Sequence, residues 1–284
     1  MNPAPDIECW LRQQGHRPPF NAVTVSGGSI CSSSHISTAD GQHYFIKSLD
    51  HPQAMLFEAE AAGLAALASR HCIRTPGVYH YEERFLVLEY LAPAAPGLNF
   101  WETLAEGLAA LHRQTQPQFG FVMDNFCGAT PQPNPLTSDG YQFFIQHRLL
   151  YQAGLKRASS LLSAQDRTAL ESICHRLPEL VPAQPACLVH GDLWSGNVHC
   201  GPAGAPVLID PACYWGWAET DIAMTKLFGG FPETFYQAYH QSHTLLPGWR
   251  ERVDIYNIYH LLNHLNLFGA SYYPQTLAAL NKYR

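Results

Sequence analysis

Apolar and polar positions alternate with a period near two through much of the first ninety residues, and past residue 98 the period lengthens to three or four. FNAVTVS (20–26) predicts a strand that stops at Gly27 and Gly28, and a second strand follows around Ile30 to Ser37. Asp40 and Gly41 then make a hairpin turn into HYFIKSL (43–49), rich in aromatic and β-branched residues. Residues 6–14 predict a short capped helix ended by Gly15. Asp50 is placed to cap a longer one with Pro52 in its first turn, and Leu56, Ala59, Glu60, Gly63, Leu64 and Leu67 recur at helical spacing up to about Arg70. GVYHYE (77–82) and RFLVLEY (84–90) add two strands. The Pro/Ala-rich LAPAAPG (91–97) is the one linker signal, so two units are expected, 1–91 and 92–284. The second is mainly helical, with segments at roughly 99–114, 138–160, 164–178, 219–228, 231–243 and 249–268. Its exception is the insert 187–211, where CLVH (187–190), NVHC (197–200) and PVLID (206–210) are short β-type runs between turn residues.

Composition narrows the class. Apolar residues are 46% of the 284-residue chain and charged residues only 14%, which excludes a disordered solvating chain and a coiled coil. The formal charge is −6, and no basic run accumulates, so a nucleic-acid partner is not expected. The first fifteen residues lack the basic leader and apolar stretch of a signal peptide. Residues 255–281 carry no Asp, Glu, Lys or Arg, but Asn257, His260, Asn263, His264, Asn266 and Pro274 interrupt them, which predicts a buried helix rather than a membrane span. The 8 cysteines never form C-x-x-C and read as reduced thiols of a cytoplasmic protein, and the 15 histidines show no metal-ligand spacing.

The chemistry lies in the insert. His190-Gly191-Asp192-Leu193-Trp194-Ser195-Gly196-Asn197 is H-x-D-x-x-x-x-N, and Ile209-Asp210-Pro211 follows at the end of an apolar strand. Phosphoryl transfer from a nucleotide needs a carboxylate to deprotonate the acceptor hydroxyl and oxygen ligands for the magnesium that bridges the phosphates. Asp192 suits the first role, and Asn197 with Asp210 the second. Protein kinases space their catalytic loop in the same way. Gly191 stands where they carry an arginine, so regulation through a phosphorylated loop is not expected.

The first unit offers a nucleotide clamp to match. Gly28 and Ser29 lie between two strands where small residues admit phosphates to the backbone. Lys47 ends the apolar run Tyr44-Phe45-Ile46 and is the only lysine in the first 155 residues. Glu60, thirteen residues on, sits between apolar helix positions and is its expected partner at the phosphates; Glu58 is the rival on another helical face. Glu89, Tyr90 and Leu91 close the last strand and are placed to be the hinge that hydrogen-bonds adenine.

HGDLWSGN (190–197), IDPACYWG (209–216), ETDIAM (219–224) and LFGGFP (227–232) together resemble the fructosamine kinase, or ketosamine-3-kinase, family. PQFGF (117–121), TPQPNP (130–135), LLNHLNLFG (261–269) and the first-unit pattern GG…FIK…FEAEAAGLAAL extend the likeness over nearly the whole chain. The resemblance implies an α+β, bilobal protein-kinase-like fold with a small β-rich N-lobe and a larger, mainly helical C-lobe. It also implies ATP- and magnesium-dependent phosphorylation of a sugar hydroxyl on a ketosamine, free or on a protein lysine, after which the adduct decomposes and frees the amine. By matching position, Asp192 is the base, Asn197 and Asp210 hold magnesium, and Asp221 supports the catalytic loop. Trp194, Asn263 and His264 are candidates to meet the acceptor, although a core role fits each as well. Another hydroxyl kinase, acting on an aminoglycoside, choline or a sugar, remains the alternative, with a nucleotide-binding scaffold behind it. In some relatives a glycine-loop cysteine forms a disulfide between subunits; Ser29 stands there in this chain, with Cys31 two residues on, and Trp217 and Ala218 replace a more polar pair.

Overall fold

A computed structural model describes residues 2–25 and 31–283. The chain opens with α1 (Pro5–Gln13), whose entry is set by Pro5 at the first helical position rather than by a capping side chain. Strands β1 (Asn21–Val25), β2 (Ser32–Ser37) and β3 (His43–Ser48) lead to α2 (Leu56–Ala68), and then to β4 (Val78–Tyr81) and β5 (Phe85–Glu89). They form one antiparallel sheet in the order β1-β2-β3-β5-β4.

Successive strand residues face opposite sides of a sheet, and both sides of this one are covered. Phe85, Val87 and Ile46 join Ile7, Trp10 and Leu11 of α1 on one side. Leu86 and Leu88 pack with Phe57, Ala61 and Leu64 of α2 on the other, together with Phe45. Lys47 shares the face of Phe45, and the pleat thus aims it at α2. That helix starts five residues later than a cap at Asp50 predicts, with Met55 in the cap position. Leu49 continues the strand by donating its N–H to the Arg84 carbonyl, Arg84 bonds the Asp50 carbonyl, and the chain enters the helix through Met55 at φ 64°.

Past the irregular segment 90–99 come α3 (Phe100–His112), β6 (Thr115–Gln116), β7 (Asn125–Cys127) and β8 (Thr130–Gln132). The single helix expected over 138–160 is instead α4 (Gly140–Phe144), a π-helical turn (Ile145–Leu150), α5 (Tyr151–Gly154) and α6 (Lys156–Leu161). The π turn carries Arg148, which is wholly buried. Its guanidinium donates to the Pro133 and His147 carbonyls at 2.9 and 2.8 Å and to Asn134 Oδ1 at 2.6 Å, and lies 3.9 Å from the centre of the Tyr214 ring. Leu155, extended at ψ 147°, makes the next break.

Then follow α7 (Ala164–Leu180), β9 (Ala186–Val189), β10 (Val198–Cys200), β11 (Pro206–Leu208) and β12 (Tyr214–Gly216). The chain closes with α8 (Ala218–Met224), α9 (Glu233–Ser242), α10 (Trp249–Phe268) and α11 (Tyr273–Lys282). The uncharged window 255–281 is therefore not one helix: α10 stops before Gly269, and a 3₁₀ turn leads into α11. Tyr256, Tyr259, Leu262 and Leu265 of α10 lie in the main core. Among the described residues no helix is long and apolar enough to cross a membrane.

Replacing Arg148 by lysine keeps the charge but not the fork that reaches three acceptors, and each buried acceptor left without a donor costs about 1–3 kcal/mol. Urea unfolding of Arg148→Lys is expected to show a loss of at least 2 kcal/mol; wild-type stability would mean that this guanidinium does not hold the broken helix in place.

Candidate active site

The loop after β9 is fastened from below by one carboxylate. Asp221, in α8 and 1% exposed, accepts the backbone N–H of His190 at 2.7 Å and of Gly191 at 2.9 Å. Its other neighbour is His112 Nε2 at 3.2 Å. Burial alone would raise the Asp221 pKa, but the hydrogen bond and charge of His112, with the Gly191 N–H, bring it below the usual carboxylate value. His190 donates from Nε2 to the Ile209 carbonyl and accepts the Asp192 N–H at Nδ1. Burial lowers its pKa, consistent with the neutral ring this pattern needs. Gly191 has φ +82°, and a Cβ there would lie 2.0 Å from the Ala212 carbonyl oxygen. Close backbone approach excludes the arginine that protein kinases carry at this place.

Asp192 lies at the open side of this loop, its side chain 20% exposed. A 3₁₀ turn, Ser195–Asn197, folds Asn197 back so that Nδ2 donates to the Asp192 carbonyl at 2.8 Å and to Oδ2 at 3.1 Å. Burial pushes the Asp192 pKa up to about 7; the Asn197 hydrogen bond opposes this, and the charges of Asp210 and Asp221 add to it.

Asp210 follows β11 at φ 54°, a left-handed conformation that aspartate tolerates better than most residues. Its Oδ1 accepts Lys47 Nζ at 2.7 Å, and the same ammonium donates to Glu60 Oε1 at 2.7 Å. Lys47 therefore meets Glu60, while Glu58 is exposed. Burial alone would lower the Lys47 pKa, but the two carboxylates outweigh it and hold the ammonium charged. Cys31 belongs to the same neighbourhood: burial, opposed by Lys47, pushes its thiol up to about 11, which makes it a poor thiolate.

Magnesium prefers hard oxygen ligands. Asp192, Asp210 and Asn197 supply them, and because the Asn197 nitrogen is held by Asp192, Oδ1 is its ligating atom. Burial chiefly, and the Asp210 and Asp221 charges in addition, disfavour the ionised Asp192 carboxylate, and a divalent cation beside it would favour that form. The donor set fits the ion.

The remaining candidates divide. Gly28 and Ser29 lie outside the described residues. The Glu89 carboxylate is taken by Arg74 Nη2 at 2.6 Å and the Gly77 N–H at 3.2 Å. Tyr90 stacks on His35 with ring centres 3.7 Å apart, and the Leu91 carbonyl accepts His199 Nε2 at 3.0 Å. Trp194 is 37% exposed and meets Phe228 edge-on, and Phe228 in turn lies 4.8 Å from His264. Asn263 is 1% exposed and its amide is bonded to Cys127 and Gln152, so of the two α10 candidates only His264 joins the Trp194 group. Two neighbours of Asp192 escaped sequence reasoning: His260, with Nδ1 4.0 Å from Oδ1, and Cys127.

The Fructosamine kinase family model matches residues 6–284. The chain belongs to the fructosamine kinase family. Within the reach of this match, a protein named probable ketoamine kinase of Synechocystis is 43% identical over 265 residues, covering 91% of this chain and 88% of its own. The chloroplastic protein-ribulosamine 3-kinase of Arabidopsis thaliana is 35% identical over 288 residues, 98% of this chain and 87% of its own. A crystal structure described as a fructosamine-3-kinase from Thermobifida fusca superposes with a TM-score of 0.89 at 29% identity, over 99% of both chains. A choline kinase from Streptococcus pneumoniae shares the fold alone, with a TM-score of 0.67 at 16% identity over 98% of both chains. The fructosamine kinase assignment makes this an α+β kinase-fold phosphotransferase with an alcohol acceptor, and the HGDLWSGN and IDPACYWG segments fall inside the matched range.

The Asp192 shift has a thermodynamic sign. An aspartate whose folded pKa is raised from 3.8 to about 7 binds its proton more tightly in the folded state, so the stability it contributes is full below pH 4 and is lost as pH rises through 7. Asp192→Asn is therefore expected to stabilise the ligand-free protein at pH 8, by up to about 4 kcal/mol, and to change it little at pH 4. Thermal unfolding at the two pH values measures the difference; an equal effect at both would contradict the shift.

Proposed function

We propose that the protein transfers the γ-phosphoryl group of ATP to a sugar hydroxyl of a ketosamine, with residues 1–91 as the nucleotide clamp and 92–284 carrying the catalytic loop and the acceptor site. Asn197 Oδ1 and Asp210 would hold magnesium, which neutralises charge on the phosphates and orients them. Lys47, kept in place by Glu60, reaches the α- and β-phosphates by exchanging its Asp210 contact for them. The main chain of Glu89 to Leu91 meets adenine, and Gly28 and Ser29 cover the phosphates.

Asp192 takes the proton from the acceptor hydroxyl as its oxygen bonds to the γ-phosphorus and ADP leaves. A base with a pKa near the working pH combines a useful ionised fraction with a real affinity for the proton. Trp194 packs on the sugar. His264 donates Nδ1–H to the His260 carbonyl at 2.8 Å, which leaves Nε2 as an acceptor for a second hydroxyl. The acceptor class follows the relatives named above for ketoamine and ribulosamine substrates. Release of the amine from the phosphorylated adduct would make the reaction a step in protein deglycation. The eight cysteines are all free thiols, which suits a reducing, cytoplasmic setting.

The observation that carries this reading is the convergence of Asp192, Asn197, Asp210 and Lys47 in a chain of this family. A coupled ADP-release assay over fructosyl-lysine, ribulosyl-lysine, choline and an aminoglycoside is expected to show turnover with the ketosamines. Asp192→Asn should lower it by about 10²–10⁴-fold while ATP still binds. Turnover confined to choline or the antibiotic would refute the acceptor class, and a fully active Asp192→Asn would refute the base.

A further inference from the structure

The proposed base shares its surroundings with two donor atoms, from Cys127 and His260, that phosphoryl transfer leaves unused. Cys127 ends β7, Asp192 sits on the loop after β9 and His260 lies midway along α10. Their sulfur, carboxylate and imidazole ligand atoms all lie within 4.8 Å of one another. Cys127 is 1% exposed and His260 3%. Among the described residues His260 Nδ1 has no hydrogen-bond partner, although it is buried and stands 4.0 Å from Asp192 Oδ1. Such an orphan is destabilising unless something satisfies it. Burial lowers the His260 pKa to about 3, so the ring is neutral and the contact with Asp192 is no ion pair. Asn263 Nδ2 donates to Cys127 Sγ at 3.2 Å, the kind of outer hydrogen bond that orients a ligating thiolate.

We infer that Cys127, Asp192 and His260 form an inhibitory site for a soft divalent transition-metal cation of the zinc class. One sulfur, one nitrogen and one oxygen suit zinc with an open fourth position, whereas magnesium takes oxygens only. Side-chain movements of about 1 Å bring the three atoms to tetrahedral separations. Burial, and next the Asp192 charge, hold the Cys127 thiol protonated without the cation; on binding it gives its proton to solvent, and thiolate and carboxylate then cancel the two charges of the cation. A neutral assembly of this kind is tolerated at depth where a lone charge is not. The partly exposed Asp192 carboxylate is the way in. Binding rests on the cluster alone; inhibition rests on the role proposed for Asp192, whose carboxylate the cation occupies.

Cobalt(II) added to the full chain without ATP or acceptor tests the site directly. The expected result is one ion per chain with a thiolate-to-cobalt charge-transfer band. The band disappears in Cys127→Ser, and His260→Asn binds at least about 10-fold more weakly, with thermal unfolding of both variants showing that they are folded. In the kinase assay under excess Mg·ATP, each protein is compared with its own zinc-free rate. The zinc concentration for half inhibition should rise by about 10–100-fold in Cys127→Ser. A band that survives in Cys127→Ser, or no band at all, overturns the site. Stoichiometric ligation by Cys127 with an unchanged rate overturns the inhibition. A fully active Asp192→Asn sinks the base while the cobalt spectrum still reports on the cluster, so the two failures are distinguishable.

Discussion

One ammonium group ties the halves of this protein together. Lys47 leaves the central sheet, meets Glu60 on α2 and meets Asp210 at the end of β11, each at 2.7 Å. Glu60 is only thirteen residues from Lys47 but Asp210 is 163 away, and the contact exists because a five-stranded sheet covered on both faces turns residue 47 toward α2. A buried lysine without those carboxylates would tend to lose its proton, and the carboxylates without it would repel one another. Each half thus depends on the other for its charge state.

Around that contact the molecule concentrates negative charge. Asp192, Asp210 and Asp221 lie close enough for the second and third to raise the pKa of the first, and only Asp221 is amply supplied with hydrogen-bond donors. The division of labour follows from this. Asp221 is a fixed, ionised anchor for the loop, while Asp192 is left poised between protonated and ionised. Ionised Asp192 costs stability above pH 7, and under the proposed mechanism that cost keeps a proton acceptor ready.

Much of this was legible in the sequence because it depends on local rules. Strand alternation and the Asp40–Gly41 turn mark the sheet, and helix periodicity favours Glu60 over Glu58 as the partner of Lys47. The start of α2 was misread because Asp50 and Pro52 mimic a capped first turn, whereas Arg84 and Leu49 keep that segment extended. The helix over 138–160 looked continuous because nothing in its own pattern shows that Arg148 must reach back to Pro133 and Asn134. Strands of two or three residues, such as β6 and β12, are too short to have a period, and α11 followed its neighbour without a charged break. Cys127 and His260 lie 133 positions apart, and the packing of α10 against β8, with Asn263 of α10 bonded to the Cys127 carbonyl, brings them together in a way no local pattern shows.

A crystal structure with magnesium and a non-hydrolysable ATP analogue tests the central claim most directly. The account predicts magnesium bound by Asn197 Oδ1 and an Asp210 carboxylate oxygen, with Lys47 Nζ moved onto the phosphates and still bonded to Glu60. Magnesium coordinated by neither residue, or a nucleotide seated away from Lys47, would contradict it.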